Sequence, residues 1–203
     1  MSIKIEEVVN QGQRKKFVAF PYQLYKNNKY WVPPMKADEL SSITPEKNPA
    51  YDFCKAKFWL AYSNGNVVGR IGAIVNDLWI EKIQRKIGRI TRIEFINDHE
   101  VVKQLTQTAE EWLKSQGMEG VMGPLGFSNL DHSGVLIEGH DRIPCMASDY
   151  HFDYYKEHIE KLGYTKERDW LEFRITFPDA LPEKAFKVAA MIKKRYGLKT
   201  LKL

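Results

Sequence analysis

Cysteine is scarce: Cys54 and Cys145 are the only two in 203 residues. A single pair builds no disulfide framework, and neither residue stands in a Cys/His cluster of zinc spacing. No run approaches the roughly 20 apolar residues of a membrane span. The opening Met1-Ser2-Ile3-Lys4-Ile5-Glu6 holds no apolar stretch ahead of a small-residue cleavage site, so no signal peptide is read there. Internal repeats and low-complexity tracts are missing too. These absences lead us to expect a reduced, cytoplasmic protein with no membrane partner and no metal. What is present is ordinary for a folded chain, 43% hydrophobic and 28% charged, which excludes a disordered polymer. At about 100–200 residues per domain, the length suits one domain, or one with an appendage.

The charge is modest and uneven. There are 31 Lys+Arg against 26 Asp+Glu, a net +5, compatible with a phosphate-bearing ligand, with nucleic acid, or with solubility alone. From Glu183 to Leu203 seven basic residues (Lys184, Lys187, Lys193, Lys194, Arg195, Lys199, Lys202) face one acid. Such a run most simply reads as a solvated helix face.

Periodicity orders the elements. Ile3 to Val8 alternates as a short strand, and Phe17, Phe20, Leu24 and Tyr25 then form a helical stripe interrupted by Pro21. Residues 35–55 read as a polar excursion with one helical turn near Pro45-Glu46. Two apolar runs, 57–62 and 67–75, flank Ser63-Asn64-Gly65-Asn66, and Asn-Gly supplies the two positive φ values of a type I′ hairpin turn. A short helix over 76–87 and a strand over 91–96 follow. Residues 99–116 carry Val101, Leu105, Ala109, Trp112 and Leu113 on one helical face, with Asn97 or Asp98 to cap and Gly117 to stop. Gly120-Val121-Met122 starts a strand that breaks into the loop from Gly123. Further elements are a helix over 151–162, a strand over Trp170–Phe177 and a basic helix over 182–196. The tail 198–203 alternates like a strand, either pairing with an edge or leading into further chain.

This order, mixing strand–helix–strand units with a hairpin, predicts an α/β (α+β) fold with a mixed, mostly antiparallel central sheet flanked by helices. It resembles the GNAT acyltransferase superfamily. Leu60-Ala61-Tyr62-Ser63-Asn64-Gly65-Asn66-Val67-Val68-Gly69 is similar to that family's hairpin, and Glu160-Lys161-Leu162-Gly163-Tyr164 to the end of its fourth helix. Tyr30-Trp31-Val32-Pro33-Pro34, Gly123-Pro124-Leu125-Gly126-Phe127 and Leu136-Ile137-Glu138-Gly139 resemble a poorly characterised bacterial GNAT-like group whose members often extend further after the last helix. The resemblance spans about residues 3–177. It implies a GNAT-like domain over 1–178 and a basic helix and tail over 179–203.

The resemblance also implies an acyl-CoA donor, acetyl-CoA or another, and an amine acceptor that is a small molecule or a peptide. One departure concerns the donor. The family grips the pyrophosphate with Q/R-x-x-G-x-G/A opening a helix, where bare amides and the helix dipole meet the phosphates. Here the junction reads Phe95-Ile96-Asn97-Asp98-His99-Glu100-Val101, with no glycine and two carboxylates. Donor binding is then expected to rest on the pantetheine arm, on Asn97, and on basic residues such as Lys103. Strand amides near Met122 and Gly123 would polarise the thioester carbonyl. A second departure concerns the general acid: Ile159 stands where the family often has tyrosine, and Tyr155 lies one turn earlier.

Glu94 is the candidate base, with a structural alternative as partner of Arg92 or Arg70. Ser128, Asn129 and Asp131 are candidate substrate ligands in the loop after the fifth strand, the end of a sheet where ligands gather; the same residues also suit Asx turns. Ser133 lacks a nucleophile elbow, and Asp131, His132 and His140 match no common metal spacing. Cys145 reads as a buried thiol. Phe53, Phe58, Trp59 and Tyr62 around Lys55 and Lys57 could stack bases, though hairpin alternation accounts for them. Three functions stay open: an N-acyltransferase, a non-catalytic or ligand-binding GNAT scaffold, and a Fem-like transferase using aminoacyl-tRNA.

Overall fold

The computed structural model describes residues 2–177 and 179–199. The chain divides into two compact units, Met1–Asp169 and Trp170–Leu203. In the first unit the strands β1 (Ile3–Glu7), β2 (Cys54–Ser63), β3 (Asn66–Asn76), β4 (Ile87–Phe95) and β5 (Gly120–Met122) form one sheet in chain order. The first three pairings are antiparallel and β4–β5 is parallel. The helices are α1 (Gln11–Leu24), α2 (Lys36–Ser42), α3 (Asp77–Ile83), α4 (His99–Ser115) and α5 (Tyr154–Lys161). The mixed, mostly antiparallel sheet flanked by helices is as expected.

The hairpin turn forms as its chemistry requires, with Asn64 at φ 51° and Gly65 at φ 78°. Strands β2 and β3 are buried on both faces, which is why they read as nearly unbroken apolar runs. Trp59, Ala61, Ile71 and Ala73 pack under the stripe of α4, where Val101, Leu105, Ala109 and Leu113 are fully buried. Phe58, Leu60 and Ile74 face the other way, onto Phe17 and Val18 of α1. Phe58 and Trp59 therefore belong to two halves of one core and offer no stacking platform.

Pro21 does not end α1. It lacks the amide that would bond the Phe17 carbonyl one turn back, and Arg70 of β3 replaces it, donating from Nη1 to that oxygen at 2.9 Å. Asn10 and Gln13 close a reciprocal cap at the start of the same helix.

Strand β4 is bulged. Arg70 pairs with Glu94 and Gly72 with Thr91, so Arg92 and Ile93 oppose Ile71 alone, and Arg92 takes φ 47°. A positive φ in a residue other than glycine is uncommon and bulges recur beside functional sites. Here Arg92 is held in place by Glu39 of α2, Nε to Oε2 at 3.0 Å, and by the Ser42 hydroxyl at 2.9 Å.

Two expectations fail. Trp170–Phe177 alternates like a strand but forms none; its apolar residues Leu171, Phe173, Ile175 and Phe177 stand 72–79% exposed. Alternation states which face is apolar but supplies no edge to pair with, and this stretch groups with the second unit. Cys145 is exposed on the loop between β5 and α5; Cys54 is the buried thiol, pushed up to about 11 by burial. In the second unit α6 (Glu183–Tyr196) is regular, and the alternating tail from Thr200 onward lies outside the described residues. Among the described residues no helix is long and apolar enough to cross a membrane.

Candidate functional site

The site begins where β4 and β5 part. They pair through Ile87/Gly120, Gly88/Val121 and Arg89/Met122 and then separate. Gly123 lies flush against Ile90, where a Cβ would sit 2.5 Å from the Ile90 carbonyl oxygen, and Pro124 has no amide to extend the ladder. One more bond, Leu125 N–H to Ile90 O at 2.8 Å, anchors the departing loop. Met122 and Gly123 thus stand at the fork.

Beyond the fork the outer edge of β4 is met by side chains of α5. The Phe95 amide donates to the Tyr155 hydroxyl at 3.1 Å, and the Tyr154 hydroxyl donates to the Phe95 carbonyl at 2.6 Å. Tyr155 is fully buried and also accepts from the Tyr25 hydroxyl of α1 at 3.1 Å. Its oxygen thus accepts twice, and the Tyr154 hydroxyl is a further hydrogen-bond neighbour of its O–H. Burial drives both the Tyr155 and Tyr25 hydroxyls well above the usual phenol range, so each stays protonated. The ring of buried His151 lies 4.9 Å from that of Tyr155 and its Nδ1 accepts the Leu136 amide; burial pushes the His151 pKa down, so it is neutral near pH 7.

Two residues before His151, Asp149 receives Nδ1 of His132 at 2.7 Å. The hydrogen bond to Asp149 raises the His132 pKa above 6.5, and the histidine and arginine neighbours of Asp149, whose side chain is exposed, hold its carboxyl low. His132 is half-exposed, its side chain 44% accessible. A histidine whose Nδ1–H is fixed by a carboxylate has Nε2 as its remaining acid–base position.

The expected site residues fall into two groups. Tyr155 and Glu94 lie together on the β4 side. Glu94 is bound by Arg70 on both oxygens, Nε to Oε2 at 2.5 Å and Nη2 to Oε1 at 2.9 Å. The alternative partnership with Arg70 is thus the one the structure shows for it. Ser128 and Asp131 hold their own loop: Asp131 Oδ2 accepts the Ser128 amide at 2.8 Å and the Ser128 hydroxyl accepts the Leu130 amide at 3.1 Å. Asn129 is exposed beside them.

At the β4–α4 junction Asp98 caps the helix by accepting the Glu100 amide at 2.9 Å. The Asn97 side-chain oxygen accepts from His158 Nε2 at 2.7 Å, which leaves His158 Nδ1 to accept from His99 at 3.3 Å. Lys103 lies 3.9 Å from Glu100 on the exposed face of α4. A carboxylate therefore stands where a phosphate would meet the helix start, and Asn97 and Lys103 sit beside it, apart from the fork. Among the described residues no three His, Cys, Asp or Glu side chains gather as a metal site.

Tyr25 as a partner of Tyr155, Asp149, and the basic role open to His132 were not singled out in the sequence. The only local signal was the density of Asp and His in residues 131–151.

No family model matches the chain. Over 182 residues it is 35% identical to Protein YghO of Escherichia coli strain K12, covering 87% of this chain and 46% of that protein. Over 182 residues it is 27% identical to the bacterial ceramide synthase of Caulobacter vibrioides, covering 89% and 47%. The chain thus spans about half the length of these curated relatives. Among solved structures, an aminoglycoside acetyltransferase from an uncultured soil metagenomic sample, in complex with sisomicin, superposes with a TM-score of 0.52 at 13% identity. That match covers 87% of this chain and 97% of the other. A tandem GNAT protein from the clavulanic acid biosynthesis pathway superposes with a TM-score of 0.51 at 12% identity, over 80% of this chain and 43% of the other. The strand order, the bulged β4 that parts from a short parallel β5, and these superpositions agree: the chain has the GNAT acyltransferase fold.

Proposed function

We propose that the chain is an N-acyltransferase unit that passes an acyl group from acyl-CoA to an amine by direct attack, in a cytoplasmic setting. The reading rests on one observation: the β4 edge beyond the fork presents the Phe95 amide and carbonyl to two tyrosine hydroxyls in place of a strand. Ile93 follows Arg92 in the bulge, where the regular pairing of β4 is interrupted. An extended amide-bearing arm such as pantetheine can pair there as a strand would once it displaces the Tyr154 and Tyr155 hydroxyls from Phe95, and the Ile93 and Gly123 backbone suits a thioester carbonyl. The nucleotide end is held differently from the family pattern, because Asp98 occupies the helix start; basic groups such as Lys103 remain for the phosphates.

In this proposal His132, oriented by Asp149, takes the proton from the attacking amine as the C–N bond forms. Tyr155 donates its hydroxyl hydrogen bond to the sulfur as the C–S bond breaks. Its raised pKa makes it a hydrogen-bond donor to the thiolate that keeps its proton, with solvent supplying the proton that finally neutralises the thiol. Glu94, committed to Arg70, positions the bulge and takes no proton. The relative by fold named an aminoglycoside acetyltransferase suggests an amine acceptor.

Thermal-shift titration with CoA, acetyl-CoA and a long-chain acyl-CoA checks donor binding. A ligand at a hundred times its Kd adds about 2.7 kcal/mol, a rise of roughly 5–10 °C for a domain of this size. No rise at millimolar ligand contradicts the proposal. A second reading, a binding scaffold without transfer chemistry, draws on Asp98 and on the two hydroxyls already bonded to Phe95. It predicts a thermal rise with no thiol released from acyl-CoA across a panel of primary amines.

A further inference from the structure

The second unit carries an unusual helix. In α6, Ala185, Val188, Ala189, Ile192 and Tyr196 recur at three- and four-residue steps and fall on one stripe. Lys184 and Arg195 border that stripe on one side and Lys193 on the other, while Lys187 and Lys194 occupy the opposite face. The helix thus holds five cations against the single acid Glu183. An open groove of about 520 Å³ runs along it, with Pro182, Val188 and Ile192 in its lining and Lys184 at its rim. Phe186 and Tyr196 are 62% and 65% exposed. The preceding stretch presents Trp170 and Phe173 at 66% and 79% exposure.

A merely solvated basic face needs no apolar stripe, and cations on both borders of an apolar stripe, with exposed aromatics beside it, are the pattern of a helix lying at a lipid interface. Lysine and arginine stems run along apolar surface while their heads reach outward, which suits a layer that is hydrocarbon below and phosphate above. Exposed tryptophan, tyrosine and phenylalanine suit the same boundary.

We propose that α6 is a surface anchor that lays its apolar stripe on an anionic lipid bilayer and sets its lysines on the lipid phosphates. This revises the expectation of no membrane partner, since lying on a membrane needs no spanning helix. The inference stands independently of the acyl-transfer reading.

Co-sedimentation of the whole chain with vesicles of phosphatidylcholine, with and without phosphatidylglycerol, tests it. Binding is expected only to the phosphatidylglycerol vesicles and is expected to weaken as salt is raised. Each cation at the surface is worth about fivefold in partitioning, so the combined Lys184→Gln, Lys193→Gln, Arg195→Gln variant is expected to bind about a hundredfold more weakly. Ile192→Ser is expected to weaken binding while leaving the salt dependence intact. Both variants are compared with the parent by circular dichroism, and the parent's own salt dependence needs no variant. Failure of the parent to bind, or equal binding without phosphatidylglycerol, overturns the proposal. So does a dimer in analytical ultracentrifugation that Ile192→Ser dissolves, which would assign the stripe to a second copy of the chain.

Discussion

Replacing Glu94 with glutamine is expected to destabilise the first unit by about 3–5 kcal/mol, because it strands a buried guanidinium. Arg70 is 4% exposed and serves four contacts at once. It forks onto both Glu94 oxygens, donates to the Phe17 carbonyl that Pro21 leaves without a partner, and lies 4.7 Å from the centre of the Phe17 ring. Loss of the carboxylate charge leaves the guanidinium with a neutral amide oxygen, the Phe17 carbonyl and ring, and the more distant carboxylates of Glu39 and Asp149. The paired replacement Arg70→Met with Glu94→Leu is expected to recover most of the loss, since an apolar pair of similar volume has no desolvation to offset. Urea unfolding midpoints at constant m-value measure both. A Glu94→Gln cost below about 1 kcal/mol would mean the pair is effectively solvated. A large loss of transfer rate in Glu94→Gln with unchanged stability would return Glu94 to the role of base.

The second large effect concerns His132. Its replacement by alanine is expected to lower the transfer rate about 10²–10⁴-fold, the usual range for a lost general base. The sign of the pH dependence follows from its partner. The base must be neutral, and Asp149 raises the His132 pKa above 6.5, so the rate is expected to climb with pH through a midpoint above that value. Asp149→Asn removes the first cause of the shift, and its midpoint is expected to move to lower pH. His132→Ala is expected to abolish the step altogether. Rate–pH profiles for the three proteins decide the matter, and an unchanged profile in Asp149→Asn contradicts the pairing.

Much of the first unit was legible because its signals are local. Asn64-Gly65 dictated a turn, and the α4 stripe dictated a face. Trp170–Phe177 shows the limit, since its alternation is as good as that of the hairpin yet a strand also needs an edge. The site was legible only in part, for the same reason. The helix frame led to Tyr155, but its partner Tyr25 lies 130 residues away in sequence. Glu94 was found by its place on a strand, and which neighbour faced it was settled by the bulge that brings Arg70 opposite. His132 and Asp149 are 17 residues apart on irregular backbone, where no period links them. The substitution of a carboxylate cap for the glycine turn was readable outright, because a capping aspartate and a phosphate require the same helix-start amides.

Amide hydrogen exchange of the whole chain, with and without saturating CoA, addresses the donor groove most directly. Slowed exchange at Ile93 of β4 and at Gly123 at the fork, with α6 unaffected, is the predicted pattern. Bound CoA that leaves those amides unchanged, while protecting another surface, would show that the parted strands are not where the donor lies.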